Sequence, residues 1–155
     1  MRILVMSDTH GDSESLRRAI LAQPKAEAVI HLGDGEEEME RARRNFPEKT
    51  FLPVRGNCDW GSTLPVTGEF EAQGVKIFYT HGHLYGVKSG DYHILAAARE
   101  HKAQVLLFGH THLPREDYED GLYIMNPGRL SGWGATYGIL DITPQGIVTN
   151  IMKLS

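Results

Sequence analysis

The chain has 155 residues, 41% of them hydrophobic and 23% charged, which suits one folded domain spanning 1–155 and leaves little room for a second. Sixteen basic residues stand against 20 acidic ones, a net charge of −4 that would not draw in long nucleic acid. One cysteine excludes an intrachain disulfide, and no apolar run reaches the roughly 20 residues of a membrane span, so a cytoplasmic protein without a membrane partner is expected.

Residues 2–7 form a short apolar run that reads as a buried strand. It ends in Asp8-Thr9-His10-Gly11-Asp12. Asp12 or Ser13 can cap a helix running to about Ala22, with Leu16, Ala19 and Ile20 on its apolar stripe and Pro24 beyond its end. Glu27 to Leu32 holds a second buried strand, followed by Gly33-Asp34. Glu36 to Asn45 reads as a surface helix with acids first and arginines last, as the helix dipole prefers. Its Met39 and Ala42 face inward. Thr50 to Val54 is a third strand, and Pro53 within it marks an edge or a bulge.

The alternation of strand and helix predicts parallel pairing. It then gives way to a hairpin, Thr67–Glu71 with Val75–Tyr79, and to a glycine- and aromatic-rich loop from Gly82 to Gly90. Tyr92 to His101 is a helix and Val105 to Phe108 a buried strand. Leu122–Met125, Thr136–Ile142 and Ile147–Met152 are the last strands, with a turn at Asp141 to Gly146. The fold class is α/β. Two mixed sheets packed face to face, with helices outside, fit this order better than one doubly wound sheet.

The functional signal is a recurrence: an apolar run, then glycine and polar ligand types. It occurs at Asp8-Thr9-His10, Gly33-Asp34, Gly56-Asn57-Cys58-Asp59, Thr80-His81-Gly82-His83 and Gly109-His110-Thr111-His112. Loops beyond the carboxyl ends of parallel strands gather in one place. Residues two apart in an extended segment point the same way, which pairs Asp8 with His10 and His110 with His112. The donors are oxygen and nitrogen, suited to manganese, iron, zinc, nickel or cobalt rather than calcium. Asp8, His10, Asp34, Asn57, His81, His110 and His112 are too many for one tetrahedral ion and suit two. Two ions about 3.5–4 Å apart generate hydroxide and hold the attacking and leaving oxygens of an in-line displacement.

These motifs, in this order over essentially the whole chain, resemble those of the calcineurin-like metallophosphoesterase superfamily. The short length and the Gly-Asn-Cys-Asp form resemble its small prokaryotic phosphodiesterase branch. The resemblance implies a four-layer αββα sandwich. It implies a first ion on Asp8, His10 and His112, a second on Asn57, His81 and His110, and Asp34 bridging them, with Mn²⁺ the expected metal. A metal-bridging hydroxide would then attack a small phosphodiester, with Asp34, Asn57, His10 and Asp59 as the catalytic group. The alternatives are a phosphomonoesterase or nucleotide phosphatase, and a metal-binding scaffold without turnover.

Two departures from the family pattern stand out. The acid that many relatives carry three residues after the bridging aspartate is matched by Glu37. Cys58 replaces the histidine of larger phosphatases, a candidate general acid, so Asp59 would orient a histidine such as His10. Asn57, His83 and Arg129 are the candidate substrate contacts, Arg129 standing where relatives have the serine of Asn-Pro-Gly-Ser. His31 reads as a packed supporting histidine, and Cys58 as packed beside the ligands. Trp60, Tyr85, Trp133 and Tyr137 would line a substrate rim or the interface of a homodimer or homotetramer.

Overall fold

The computed structural model describes residues 1–155 as two five-stranded mixed sheets with helices on their outer faces. In chain order the elements are β1 (Arg2–Met6), α1 (Ser13–Ala22), β2 (Ala28–His31), α2 (Glu36–Asn45), β3 (Thr50–Pro53), β4 (Thr67–Ala72) and β5 (Val75–Thr80). Then follow α3 (Tyr92–Glu100), β6 (Val105–Phe108), β7 (Arg115–Glu119), β8 (Leu122–Asn126), β9 (Thr136–Thr143) and β10 (Gly146–Lys153). The first sheet runs β10-β9-β1-β2-β3 and the second β4-β5-β6-β8-β7. In each, a parallel trio carries antiparallel neighbours: β1, β2 and β3 in the first sheet, β5, β6 and β8 in the second.

The apolar runs are continuous because both faces of these strands are covered. Ile3 and Val5 of β1 point between the sheets, where they meet Ile30, Ile77, Val105 and Leu107. Leu4 and Met6 point outward onto Leu16, Ala19 and Ile20 of α1 and Met39 of α2. In the second sheet Val105 and Leu107 face inward, while Leu106 packs outward with Phe78 against Ile94 and Ala98 of α3. The order of layers is therefore helix, sheet, sheet, helix.

Pro53 closes β3, the edge strand of its sheet, where a missing N–H breaks no ladder. Asp12 caps α1, its carboxylate accepting from the Ser15 N–H at 3.0 Å. One element was not expected. Arg115–Glu119 forms the edge strand β7, paired antiparallel with β8. Its run of charges reads as loop, yet an edge strand with an exposed face tolerates charge. Asp120-Gly121, both at positive φ, makes the tight turn that joins the pair.

Candidate metal centre

The parallel strands β1, β2 and β5, β6 end side by side, and the loops that follow are tied together through the backbone. The Asp8 N–H donates to the Gly33 carbonyl and the His10 N–H to the Asp34 carbonyl, each at 2.9 Å. In the other sheet the Gly109 N–H donates to the His81 carbonyl at 3.0 Å. The two halves meet where His81 Nδ1 donates to the Leu32 carbonyl at 2.7 Å.

Three overlapping groups of ligand atoms result, each compact enough to hold an ion: Asp8, His10 and His112; His10, Asp34 and Cys58; Asp34, His81 and His110. Asp8 Oδ1 lies 3.1 Å from His112 Nε2 and 3.3 Å from His10 Nε2. Asp34 Oδ2 lies 3.3 Å from His81 Nε2 and 3.8 Å from His10 Nε2, between the outer groups. Asn57 joins the third group, with its Oδ1 3.0 Å from His81 Nε2. His110 Nδ1 is 3.1 Å from the same nitrogen.

The donor chemistry at His81 bears on whether a metal fits. A carbonyl only accepts, so the Leu32 oxygen fixes the proton on Nδ1 and leaves the Nε2 lone pair facing the site. That lone pair converges with those of Asp34 Oδ2, Asn57 Oδ1 and His110 Nδ1. Without a cation, a proton on His81 Nε2 or on His110 Nδ1 is needed to relieve the repulsion. Accordingly His81 sits above its ordinary pKa: burial opposes the charge, but its hydrogen bond to Asp34 and the charges of Asp8 and Asp34 outweigh it. The Asp34 carboxyl is held well below the carboxylate range, since the His81 bond and the Cys58 N–H overcome its burial. His110 is pushed down to about 4 by burial and by the neighbouring His81 charge, which keeps its ring neutral and able to offer one nitrogen lone pair. The residues present suit a divalent cation, which satisfies all the converging lone pairs at once.

The backbone at the candidate ligands is unusual. Asp8, His10, Asp34, His110 and His112 all lie in the left-handed region, at φ 57°, 42°, 62°, 71° and 65°. Such a conformation costs roughly 1 kcal/mol or more for each non-glycine residue, and Asp and His are among those that tolerate it. Glycine is required where the loops touch. A Cβ on Gly56 would stand 2.1 Å from Asp34 Oδ1, and one on Gly109 would stand 2.0 Å from Ser7 Oγ.

Two supporting residues, Ser7 and Ser131, were not expected. Ser7 Oγ donates to Asp8 Oδ2, which also accepts from the His110 N–H at 3.1 Å. Ser131 Oγ donates to the Asp8 carbonyl at 3.0 Å. Only adjacency to Asp8 marked Ser7 in the sequence, and nothing marked Ser131. Asn126 is buried beneath the last motif, its Nδ2 donating to the Gly109 carbonyl and to Thr111 Oγ1. His31 is buried, Nδ1 accepting from the Gly33 N–H and Nε2 donating to Thr9 Oγ1, a supporting place as read from the sequence.

Four placements differ from expectation. Glu37 points to solvent and pairs with Arg41 one helical turn on. Glu38, buried, is the acid that reaches inward, to the Gly11 N–H beside His10. The reason is helical phase: of the two, Glu38 shares the inner face with Met39. Asp59 does not orient His10; its oxygens accept from the backbone N–H groups of Asp34, Gly35, Glu36 and Gly56. Arg129 turns onto its own loop, donating to the carbonyls of Ser131 and Trp133, because these lie within reach of the guanidinium. Cys58 is exposed rather than packed, and its Sγ joins His10 and Asp34 in one of the three groups. His83 lies beside the site, its ring 5.3 Å from that of His81, with Nδ1 buried and unpaired. A cavity of about 340 Å³ opens over His10, Asp34, Cys58 and Asp59.

The calcineurin-like phosphoesterase superfamily domain matches residues 1–145. The chain belongs to that superfamily. Phosphodiesterase YfcE of Escherichia coli K12 is 30% identical over 171 aligned positions, covering 91% of this chain and 88% of that protein. Vacuolar protein sorting-associated protein 29 of Schizosaccharomyces pombe is 29% identical over 137, covering 85% and 73%. A crystal structure from Streptococcus pneumoniae TIGR4, described as a predicted phosphoesterase, superposes with a TM-score of 0.82 at 28% identity, covering 98% of this chain and 88% of that one. Proteins similar to this chain are therefore named as a phosphodiesterase and as a vacuolar protein sorting-associated protein alike.

Proposed function

We propose that this member of the superfamily is a phosphodiesterase of the small prokaryotic branch, working with two divalent ions, Mn²⁺ the best suited. The observation that carries the reading is the convergence of lone pairs on His81 Nε2, with His10, His112 and Asp8 forming a second group beside it. The likeness to YfcE, 30% identical and covering 91% of this chain, supports the phosphodiesterase choice over a sorting role.

Asp8, His10 and His112 would hold one ion, Asn57, His81 and His110 the other, and Asp34 would touch both. Bound there, the ions supply a hydroxide nucleophile and the positive charge that a phosphoryl transition state requires. The protein's own part is positioning. Leu32 fixes the His81 tautomer, and Ser7 with the His110 N–H fixes the Asp8 carboxylate. His83, its ring 5.3 Å from that of His81, is the remaining candidate for contact with a phosphate oxygen. Arg129, turned to its own loop, is not assigned to substrate. The substrate is a small phosphoester, since the net charge of −4 gives no basic strip for a long polyanion.

The test is chelation followed by reloading with Mn²⁺, assayed on bis(para-nitrophenyl) phosphate and para-nitrophenyl phosphate. Restored turnover with preference for the diester is expected. A preference for the monoester favours the phosphatase reading, and metal uptake without turnover on either favours a scaffold.

A further inference from the structure

Asp59 supplies no atom to any of the three ligand groups, yet it is among the most engaged side chains at the site. Its Oδ2 accepts from the N–H of Asp34 at 2.8 Å and of Gly56 at 2.7 Å. Its Oδ1 accepts from Gly35 at 3.0 Å and Glu36 at 3.1 Å. Three of these donors are consecutive and open helix α2, whose own cap residue, Gly35, has no side chain to offer. Consecutive N–H groups at a helix start form a concavity for an anion. Here a carboxylate from the next loop fills it.

The bonding also runs the other way. The Cys58 N–H donates to Asp34 Oδ1 at 2.8 Å. Asp34 is thus gripped twice, its backbone by Asp59 and its side chain by the residue before Asp59. The other oxygen, Oδ2, is left facing His81 and His10. The loop that holds Asp34 in the left-handed conformation is clasped to the loop that presents Asn57, and Gly56 gives them room to touch.

We propose that Asp59 is the positioning residue of the centre: its carboxylate locks the Asp34 loop to the Asn57 loop, setting the spacing of those two ligands. It acts through Asp34 and Asn57 and touches neither ion nor substrate. By occupying the start of α2 it also leaves that terminus unavailable to a substrate phosphate. The assignment rests on the metal reading above.

The test uses the full chain with Co²⁺, whose visible absorption reports ligand geometry. Asp59→Asn turns an amide donor toward N–H groups that need acceptors. It is expected to keep the wild-type far-ultraviolet circular dichroism, to weaken Co²⁺ binding by about 10- to 100-fold, the usual effect of losing a residue that orients ligands, and to alter the absorption bands. If the amide variant does not fold, Asp59→Glu decides: the charge is kept but displaced by one methylene, and intermediate affinity with shifted bands is expected. Wild-type affinity and bands in the folded variant overturn the proposal, whatever happens to its melting temperature. No Co²⁺ band in the wild-type chain overturns the metal reading and this proposal with it.

Discussion

His81 and Leu32 each follow a strand of a different sheet, and the 2.7 Å bond from the imidazole Nδ1 to the Leu32 carbonyl decides which nitrogen faces the ligand atoms. An amide at this position cannot reproduce both the donor and the reach of the distal nitrogen. His81→Asn is expected to lose at least about tenfold in Mn²⁺ affinity by isothermal titration, as loss of a ligand or its orienting bond commonly does. Nitrogen-15 spectra of the wild type loaded with diamagnetic Zn²⁺ should show the Nδ1–H tautomer.

Gly56→Ala probes the contact between loops. The added methyl would lie 2.1 Å from Asp34 Oδ1 and 2.7 Å from Asp34 N, so one loop must move. Overpacking of this kind costs about 1–3 kcal/mol, read as a lower urea midpoint. Because the displaced group belongs to a candidate ligand, Mn²⁺ uptake should fall as well on the proposed reading. A variant that loses stability but keeps full metal affinity would show that the loops move together.

The buried His31 gives a pH dependence of definite sign. Burial disfavours its charged form, so its folded pKa lies below the ordinary value of 6.5. The unfolded chain takes up the proton first as pH falls. The stability contribution is therefore complete above 6.5 and is lost as pH drops below it toward the folded pKa. The slope is at most about 1.4 kcal/mol per pH unit for one proton. His31→Gln cannot titrate, and urea unfolding of the metal-free variant at descending pH should show a shallower decline than the wild type.

The parts legible in the sequence are those governed by local pattern. Apolar runs marked the buried strands, Pro53 marked an edge, and the order of ligand motifs marked the loops that meet. What escaped depends on tertiary geometry. Glu37 and Glu38 differ by one residue, and only the phase of α2 on its sheet decides which faces inward. The Asp59 bonds reach N–H groups 23 to 25 residues away, a relation with no sequence signature. β7 hid behind its charges, although Asp120-Gly121 was a hairpin signal that spacing alone supported. The left-handed backbone at five ligands was equally hidden, since Asp and His tolerate that conformation without demanding it.

Metal removal should be visible without any assay of turnover. A ligand that binds only the folded chain stabilises it by about 2.7 kcal/mol when present at 100 times its dissociation constant. Chelated protein is expected to melt at a lower temperature than the Mn²⁺-loaded form, with the difference growing with free Mn²⁺. Calcium, poorly matched to imidazole donors, should restore little of it. Equal protection by calcium and manganese would point to exposed carboxylates as the binding groups.

The N–H of His110 bonds to the carboxylate of Asp8 across 102 positions of sequence. During synthesis Asp8 therefore waits for most of the polypeptide before its neighbour exists. A fragment that ends before His110 lacks two of the seven candidate ligands, so on the proposed metal reading a complete centre would form late in synthesis. On that reading the second half of the chain completes both ion sites at once, and a truncated product ending before β6, without His110 and His112, should not hold the pair.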